Sequence, residues 1–208
     1  MVRMTSRDPV IHTVPIGDLR PTQLTIGLIE VEHRRRAWRE AKGKEREEML
    51  VEHVVPAVLG PKQRHYMIDH HHLVRALHEE NAKGVFVQVL HDYSRLPKSE
   101  FWIVLDQHGW VHTYNAEGVR VGFDAMPKHI AKLEDDPYRS LAGAVRRAGG
   151  FAKDATPYVE FMWASFFRSR VAKGDIAGDF EGAVDDALKL ARGGDADYLP
   201  GWCGPSRK

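Results

Sequence analysis

The sequence predicts an α+β protein, a small mixed sheet with helices followed by a helical C-terminal part. Two observations carry this. Short apolar runs of period two alternate with helix-length segments of period 3.6 up to Asp124, and beyond it the segments are mainly helical. Residues 10–124 therefore read as an α+β domain and residues 125–202 as a helical subdomain.

HTVPIGDLRP alternates apolar and polar positions before Pro21, a short strand ending in a turn. In LIEVEHRRRAWREAK, Val31, Trp38 and Ala41 recur at helical spacing, and a second helix covers Lys44 to Glu52. VVPAVLG, closed by Gly60 and Pro61, and HYMID read as a hairpin linked by KQR. The period then changes: Leu73, Ala76 and Leu77 form a helical stripe in a segment from about His70 to Asn81. VFVQVLHDY returns as a strand and SEFWIVLDQ as a helix entered through Pro97 and Ser99. WVHTYN, NAEG and VRVGF make a second hairpin with Gly118 in its turn. Four helical segments follow: MPKHIAKLE, DPYRSLAGAVRRAGG, TPYVEFMWASFFRSRVA and FEGAVDDALKLARGG. Thr156-Pro157 suits a helix start; Gly149-Gly150 and Gly193-Gly194 suit helix ends.

The chain has 208 residues and 43% hydrophobic content, enough for a core without staples and too apolar for a disordered tail. Thirty Lys and Arg against 29 Asp and Glu leave a net charge of +1, which argues against a generically basic nucleic-acid wrapper while leaving room for a local patch. No window approaches the roughly 20 apolar residues of a membrane span, and MVRMTSRDPV lacks the apolar core of a secretory signal, so the expected location is the cytoplasm. The single Cys203 excludes an internal disulfide and a multi-cysteine zinc site. Histidine is the unusual count, at 12, and His65, His70, His71, His72 and His78 fall in one short stretch.

YMIDHHHLVRAL is an apolar strand delivering polar side chains to the first turn of a helix, where backbone N–H groups and the positive end of the dipole attract anions. At about 100° per residue, His71, Arg75 and His78 lie opposite the Leu73/Ala76/Leu77 stripe and His72 lies at its flank, which surrounds a bound phosphate with donors and cations. The plainer reading makes Asp69 an N-cap and the histidines a solvated face. Adjacent helical residues diverge too far to share one ion, so no metal ligand set is assigned. Glu30 and Glu32, beside His33 and Arg34-Arg35-Arg36, are candidates for a general base or for a charged helix face. Arg139 and Arg146, seven apart in DDPYRSLAGAVR, either clamp phosphate or pair with carboxylates. Tyr158, Phe161, Trp163, Phe166 and Phe167 read as core rather than as a base-stacking platform.

VPIGDLRPTQ resembles the opening strand and L-R-P turn of the ParB/sulfiredoxin superfamily, in particular its ParB-like nuclease branch. YMIDHHHLVRAL is similar to its strand-to-helix box, usually written I-D-G-H-H-R, and DDPYRSLAGAVR with EFMWASFFR to that branch's C-terminal signature. The likeness implies a ParB/sulfiredoxin-like fold and a box that binds phosphates or nucleotides. Known activities of the superfamily are CTP binding and hydrolysis, ATP-dependent sulfinic acid reduction, and free-serine phosphorylation. Asp69 matches the box's acidic position and His71 and His72 its histidines, while His70 replaces the glycine and Leu73 the arginine, whose charge Arg75 is expected to supply. Sulfiredoxin chemistry needs a cysteine where His71 stands. A partition protein needs a helix-turn-helix reader that the aromatic-rich C-terminal part does not display.

The leading expectation is an enzyme acting on phosphate bonds, as kinase, hydrolase or nuclease. Asp69, His71 and His72, with Glu30 or Glu32 as base, are its catalytic candidates. His70, His71, His72, Arg75 and Arg139 would hold a nucleotide (ATP, ADP or CTP, with magnesium) or another phosphate-containing small molecule. The other class is a non-catalytic module on the same fold, binding nucleic acid through Arg34-Arg35-Arg36 and Arg146-Arg147, or binding a protein partner.

Overall fold

The computed structural model describes residues 11–205. The opening ten residues, read above for a signal core, lie outside the described residues. The chain divides into two compact units, one holding residues 11–24, 31–113 and 122–133, the other 25–30, 114–121 and 134–205.

The first unit is built on a five-stranded sheet. Its strands are β1 (Ile11–Pro15), β2 (Leu19–Arg20), β4 (Val55–Gly60), β5 (Arg64–Met67) and β6 (Gly84–Asp92), in the order β1-β6-β4-β5-β2. β1 pairs with β6 and β4 with β5 antiparallel, whereas β4–β6 and β5–β2 are parallel, so the sheet is mixed. The period of two holds where it was read, Val14 and Ile16 being buried and Thr13 and Pro15 exposed, and β6 shows it too, with buried Val85 and Val87 alternating with half-buried Phe86 and Gln88. The hairpin of β4 and β5 turns through Pro61–Gln63, with Lys62 and Gln63 both left-handed, at φ of 64° and 56°. Gly60 just before it is obligatory, because a Cβ there would lie 2.6 to 2.7 Å from the rings of Tyr66 and Phe101. β1 and β5 are not neighbours in the sheet, yet Nε2 of His12 lies 3.0 Å from Nε2 of His65, so the sheet curls until its strands meet across the open side.

Helices α1 (Leu28–Glu40), α2 (Lys44–Glu52), α3 (His71–Glu79) and α4 (Lys98–Gln107) follow the sequence reading closely. α3 buries the expected Leu73, Ala76 and Leu77, and Val74 and His71 besides; α4 buries Phe101, Trp102 and Leu105.

In the second unit, β3 (Thr25–Ile26) pairs in parallel with β7 (Glu134–Asp135), and α5 (Pro137–Arg147), α6 (Val159–Arg168), α7 (Lys173–Gly178) and α8 (Phe180–Arg192) follow. The aromatic run is core: Trp163 and Phe167 are fully buried, and Trp163 stacks on Phe151 with centroids 4.3 Å apart. The start of α1 is held from a distance, Asp135 Oδ1 accepting from the Leu28 N–H at 2.9 Å and Ser140 Oγ from the Ile29 N–H at 3.2 Å. Asp136 caps α5 by accepting from the Tyr138 N–H, and it is clasped by Arg168.

Three expectations need correction. The second hairpin is reduced to its turn: Asn115 and Gly118, at φ 76°, form it as read, but the flanks make only isolated bridges. One flank is claimed elsewhere, since the His112 N–H bonds to the Thr22 carbonyl at 2.8 Å. MPKHIAKLE is not a helix; Ile130 and Leu133 are buried three apart, which imitates a helical stripe, but they belong to a 3-10 turn leading into β7. α6 starts at Val159 after a left-handed Tyr158, while Thr156 turns back to Asp154. α7 was not foreseen.

Burial, and then His12 beside it, holds the His65 imidazole below its ordinary value. As pH falls from about 6.5, the unfolded chain takes up a proton that folded His65 refuses, so stability is full above that pH and declines below it. Urea denaturation at about pH 7.5 and about pH 5.5 is expected to show a larger acid loss for wild type than for His65→Gln.

Candidate functional site

Within the first unit the strand-to-helix box meets the L-R-P turn. β2 runs parallel to β5, with Leu19 opposite His65 and Arg20 opposite Tyr66, which brings Thr22 to the end of β5. Thr22 Oγ1 donates to the Met67 carbonyl at 2.9 Å, and the Thr22 N–H donates to Nε2 of His71 at 3.2 Å. His71 is 5% exposed. The structure therefore places it inward rather than on the solvent side of α3, with Nε2 acting as a hydrogen-bond acceptor.

Beyond Met67 the Ile68 N–H bonds to the Pro56 carbonyl at 2.9 Å, and the chain turns. Asp69 is exposed; its Oδ1 accepts from the N–H of His70 at 2.6 Å instead of capping the helix. The cap residue is His70, left-handed at φ 63°, and no side chain caps α3. This explains the departure from I-D-G-H-H-R: the backbone keeps a glycine-type conformation and an imidazole is added to it. That ring meets His53, at the end of α2, edge-on with centroids 5.9 Å apart. Nδ1 of His53 bonds to the Met49 carbonyl at 2.9 Å, which orients the ring and assigns the proton to Nδ1. Burial is the main force holding the His70 imidazole below its ordinary value; His53 and Arg34 push the same way, and Asp69 opposes them. His70 is thus a neutral base at neutral pH, beside a second histidine, a carboxylate and an arginine.

The other predicted residues are placed as follows. His72 is half-buried and His78 exposed on α3. Leu73 is core at 4% exposure, so the box arginine has no counterpart at that position. Arg75 is committed, its Nε to Glu79 at 2.6 Å and its Nη1 to the carbonyls of Ile130 and Leu133 at 3.2 and 3.3 Å. Glu32 is the hub of a charged fan, bonding Arg35, Arg36 and Arg39, and Arg35 and Arg39 also reach Glu80. The hydrogen bond from Arg39 leads in holding the Glu32 carboxyl below its usual range, the opposite of what a general base needs. Glu30 belongs to the second unit, where both its oxygens are clasped by Arg147. Arg139, in the same unit, is buried with its guanidinium 3.7 Å from the Phe161 ring centre.

His53 and the role of Arg34 escape sequence reasoning. His53 is 17 residues from His70, with no spacing rule to join them, and Arg34 is one of three consecutive arginines. Among the described residues no three His, Cys, Asp or Glu side chains are grouped as a metal site. Among the described residues no helix is long and apolar enough to cross a membrane.

A family model described as "Putative ParB-like nuclease" matches residues 12–169. Protein Atu1540 from Agrobacterium tumefaciens, known from a crystal structure, is 44% identical with a TM-score of 0.90, over 96% of this chain and 99% of that one. No curated protein matches the chain.

His70→Gly is expected to equal or exceed wild-type stability in urea, by up to about 1 kcal/mol, because glycine adopts left-handed backbone freely. His71→Ala, which strips the buried Thr22 N–H of its acceptor, is expected to lose about 1–3 kcal/mol in the same measurement.

Proposed function

We propose that this chain, which belongs to the ParB-like nuclease family, binds a phosphate group at the turn between β5 and α3 and cleaves or transfers it by proton exchange through His70 and His53. The observation that carries the reading is the pair of imidazoles at a left-handed helix start without a side-chain cap, where the charge of Arg34 also acts on His70. A helix start of this kind favours an anion, and an arginine adds charge stabilisation where the transition state needs it.

Attack at phosphorus requires one group to take a proton from the nucleophile and another to return one to the departing oxygen. His70, kept neutral by burial, takes the proton from water or a hydroxyl as the new P–O bond forms. His53, its Nδ1 proton held by the Met49 carbonyl, gives up from Nε2 a second proton taken from solvent, delivering it to the oxygen whose bond to phosphorus breaks, and His70 then returns its own proton to solvent. Hydrolase and kinase differ here only in the nucleophile. His71 acts as a positioning residue through Thr22, and Arg75 through the 130–133 segment. Glu30 and Glu32 are given no proton-transfer role, since Arg147 occupies both oxygens of Glu30 and the hydrogen bond from Arg39 favours the charged form of Glu32.

The test is thermal denaturation with ATP, ADP, CTP, GTP and pyrophosphate, with and without magnesium, followed by bis(p-nitrophenyl) phosphate hydrolysis. A ligand at 100 times its dissociation constant adds about 2.7 kcal/mol, a shift that His70→Gly with His53→Ala is expected to abolish. Turnover is expected to hold down to below about pH 6.5, because His70 stays unprotonated past its ordinary value. No shift with any of the five ligands and no hydrolysis overturns the reading.

A further inference from the structure

We infer that the end of the first unit's sheet where β4 and β6 finish is a binding surface for single-stranded nucleic acid. The inference rests on the phosphate-bond reading above and names its substrate class. Four rings gather there from two elements. His91 and Tyr93 come from the end of β6 and the residue after it, and His108 and Trp110 from just beyond α4. His108 lies on Trp110 with centroids 4.3 Å apart and planes 14° apart; His91 and Tyr93 are 5.5 Å apart at 4°; His91 lies 6.2 Å from His108 at 20°. The Tyr93 hydroxyl is 3.4 Å from Nε2 of His108, which ties the two pairs together.

Near-parallel rings usually fill a core, as Phe151 and Trp163 do in the second unit. Here His91 and His108 are exposed and Tyr93 and Trp110 half-buried, so flat π faces with polar edges are offered to solvent. Bases stack on such faces whatever their sequence.

The same end carries exposed cations. The β4–β5 turn presents Lys62 and Arg64, and the segment after β6 presents Arg95 and Lys98. The two turns are joined, since Nε2 of Gln63 donates to Ser94 Oγ at 2.8 Å and the Tyr93 N–H to the Leu59 carbonyl at 2.7 Å. Two consecutive left-handed residues, Lys62 and Gln63, hold the first turn in this shape. Asp92 is the acidic residue between them, and it accepts from the Ser94 N–H; Glu100 and Asp106 lie on α4. Cations beside stacking rings are the combination that tracks a phosphate backbone while holding its bases. Of the arginine runs that the sequence offered for this task, Arg35 and Arg36 are spent on Glu32, Arg147 on Glu30 and Arg146 on Glu160.

Fluorescence anisotropy with labelled dT and rU 12-mers and a duplex of the same length tests this. Both single strands, or one of them, are expected to bind more tightly than the duplex, the two arms deciding between DNA and RNA. Tyr93→Ala with His108→Ala is expected to weaken binding roughly 5- to 150-fold, one base stack's worth. Lys62→Glu with Arg64→Glu, at exposed positions, is expected to weaken it further at low salt and to flatten its salt dependence. Absence of binding, equal affinity for the duplex, or wild-type affinity in both variants overturns the inference. His70→Gly with His53→Ala separates it from the reading it rests on: binding kept with hydrolysis of bis(p-nitrophenyl) phosphate absent even in wild type sinks the phosphate chemistry alone. Binding lost in that variant but kept in the ring variant sinks the surface alone.

Discussion

The hydrogen bonds at Thr22 organise the first unit. One residue donates from its backbone to the His71 imidazole and from its side chain to the Met67 carbonyl, while its own carbonyl accepts from His112. Three segments far apart in sequence are thereby fixed at one point, and buried hydrogen bonds resist removal because the group left behind has no water to turn to. The strand β2 stays beside β5, the chain leaves β5 at a set angle, and His70 is delivered into its left-handed turn. The site exists because the turn is held from behind.

Charge is distributed around that turn with little waste. Of the three successive arginines, Arg35 and Arg36 face carboxylates of their own helix or of α3, whereas the charge of Arg34 is felt at His70. The same chemistry that makes an exposed ion-pair network thereby sorts three like residues into different tasks. His71 and His70 are sorted likewise, one sealed inward as a bracket and the other left at the rim.

Much of the fold was legible in the sequence, for a physical reason. The stripe Leu73, Ala76, Leu77 and the alternation through Val85 and Val87 are consequences of local geometry, which periodicity reports directly. Where segments are decided by remote partners, periodicity misled: Ile130 and Leu133 imitate a helix while lending their carbonyls to Arg75, and Trp110 to Thr113 look like a strand whose neighbour is not the one expected. The box was legible as a strand passing into a helix beside a carboxylate. His53 was not, since nothing along the chain joins it to His70. Nor was the left-handed backbone at His70, although the glycine usual in the family's box hinted at it.

The charged fan on α1 and the solitary turn at His70 differ in how each tolerates inheritance. Glu32 has three arginine partners and Arg35 and Arg39 share Glu80, so any single replacement leaves other ion pairs in place. His70 has no understudy. Its backbone suits glycine above all, so the imidazole is carried there at a conformational cost. On the proposed reading, a relative with glycine at position 70 would keep the same turn at lower conformational cost and lack its base.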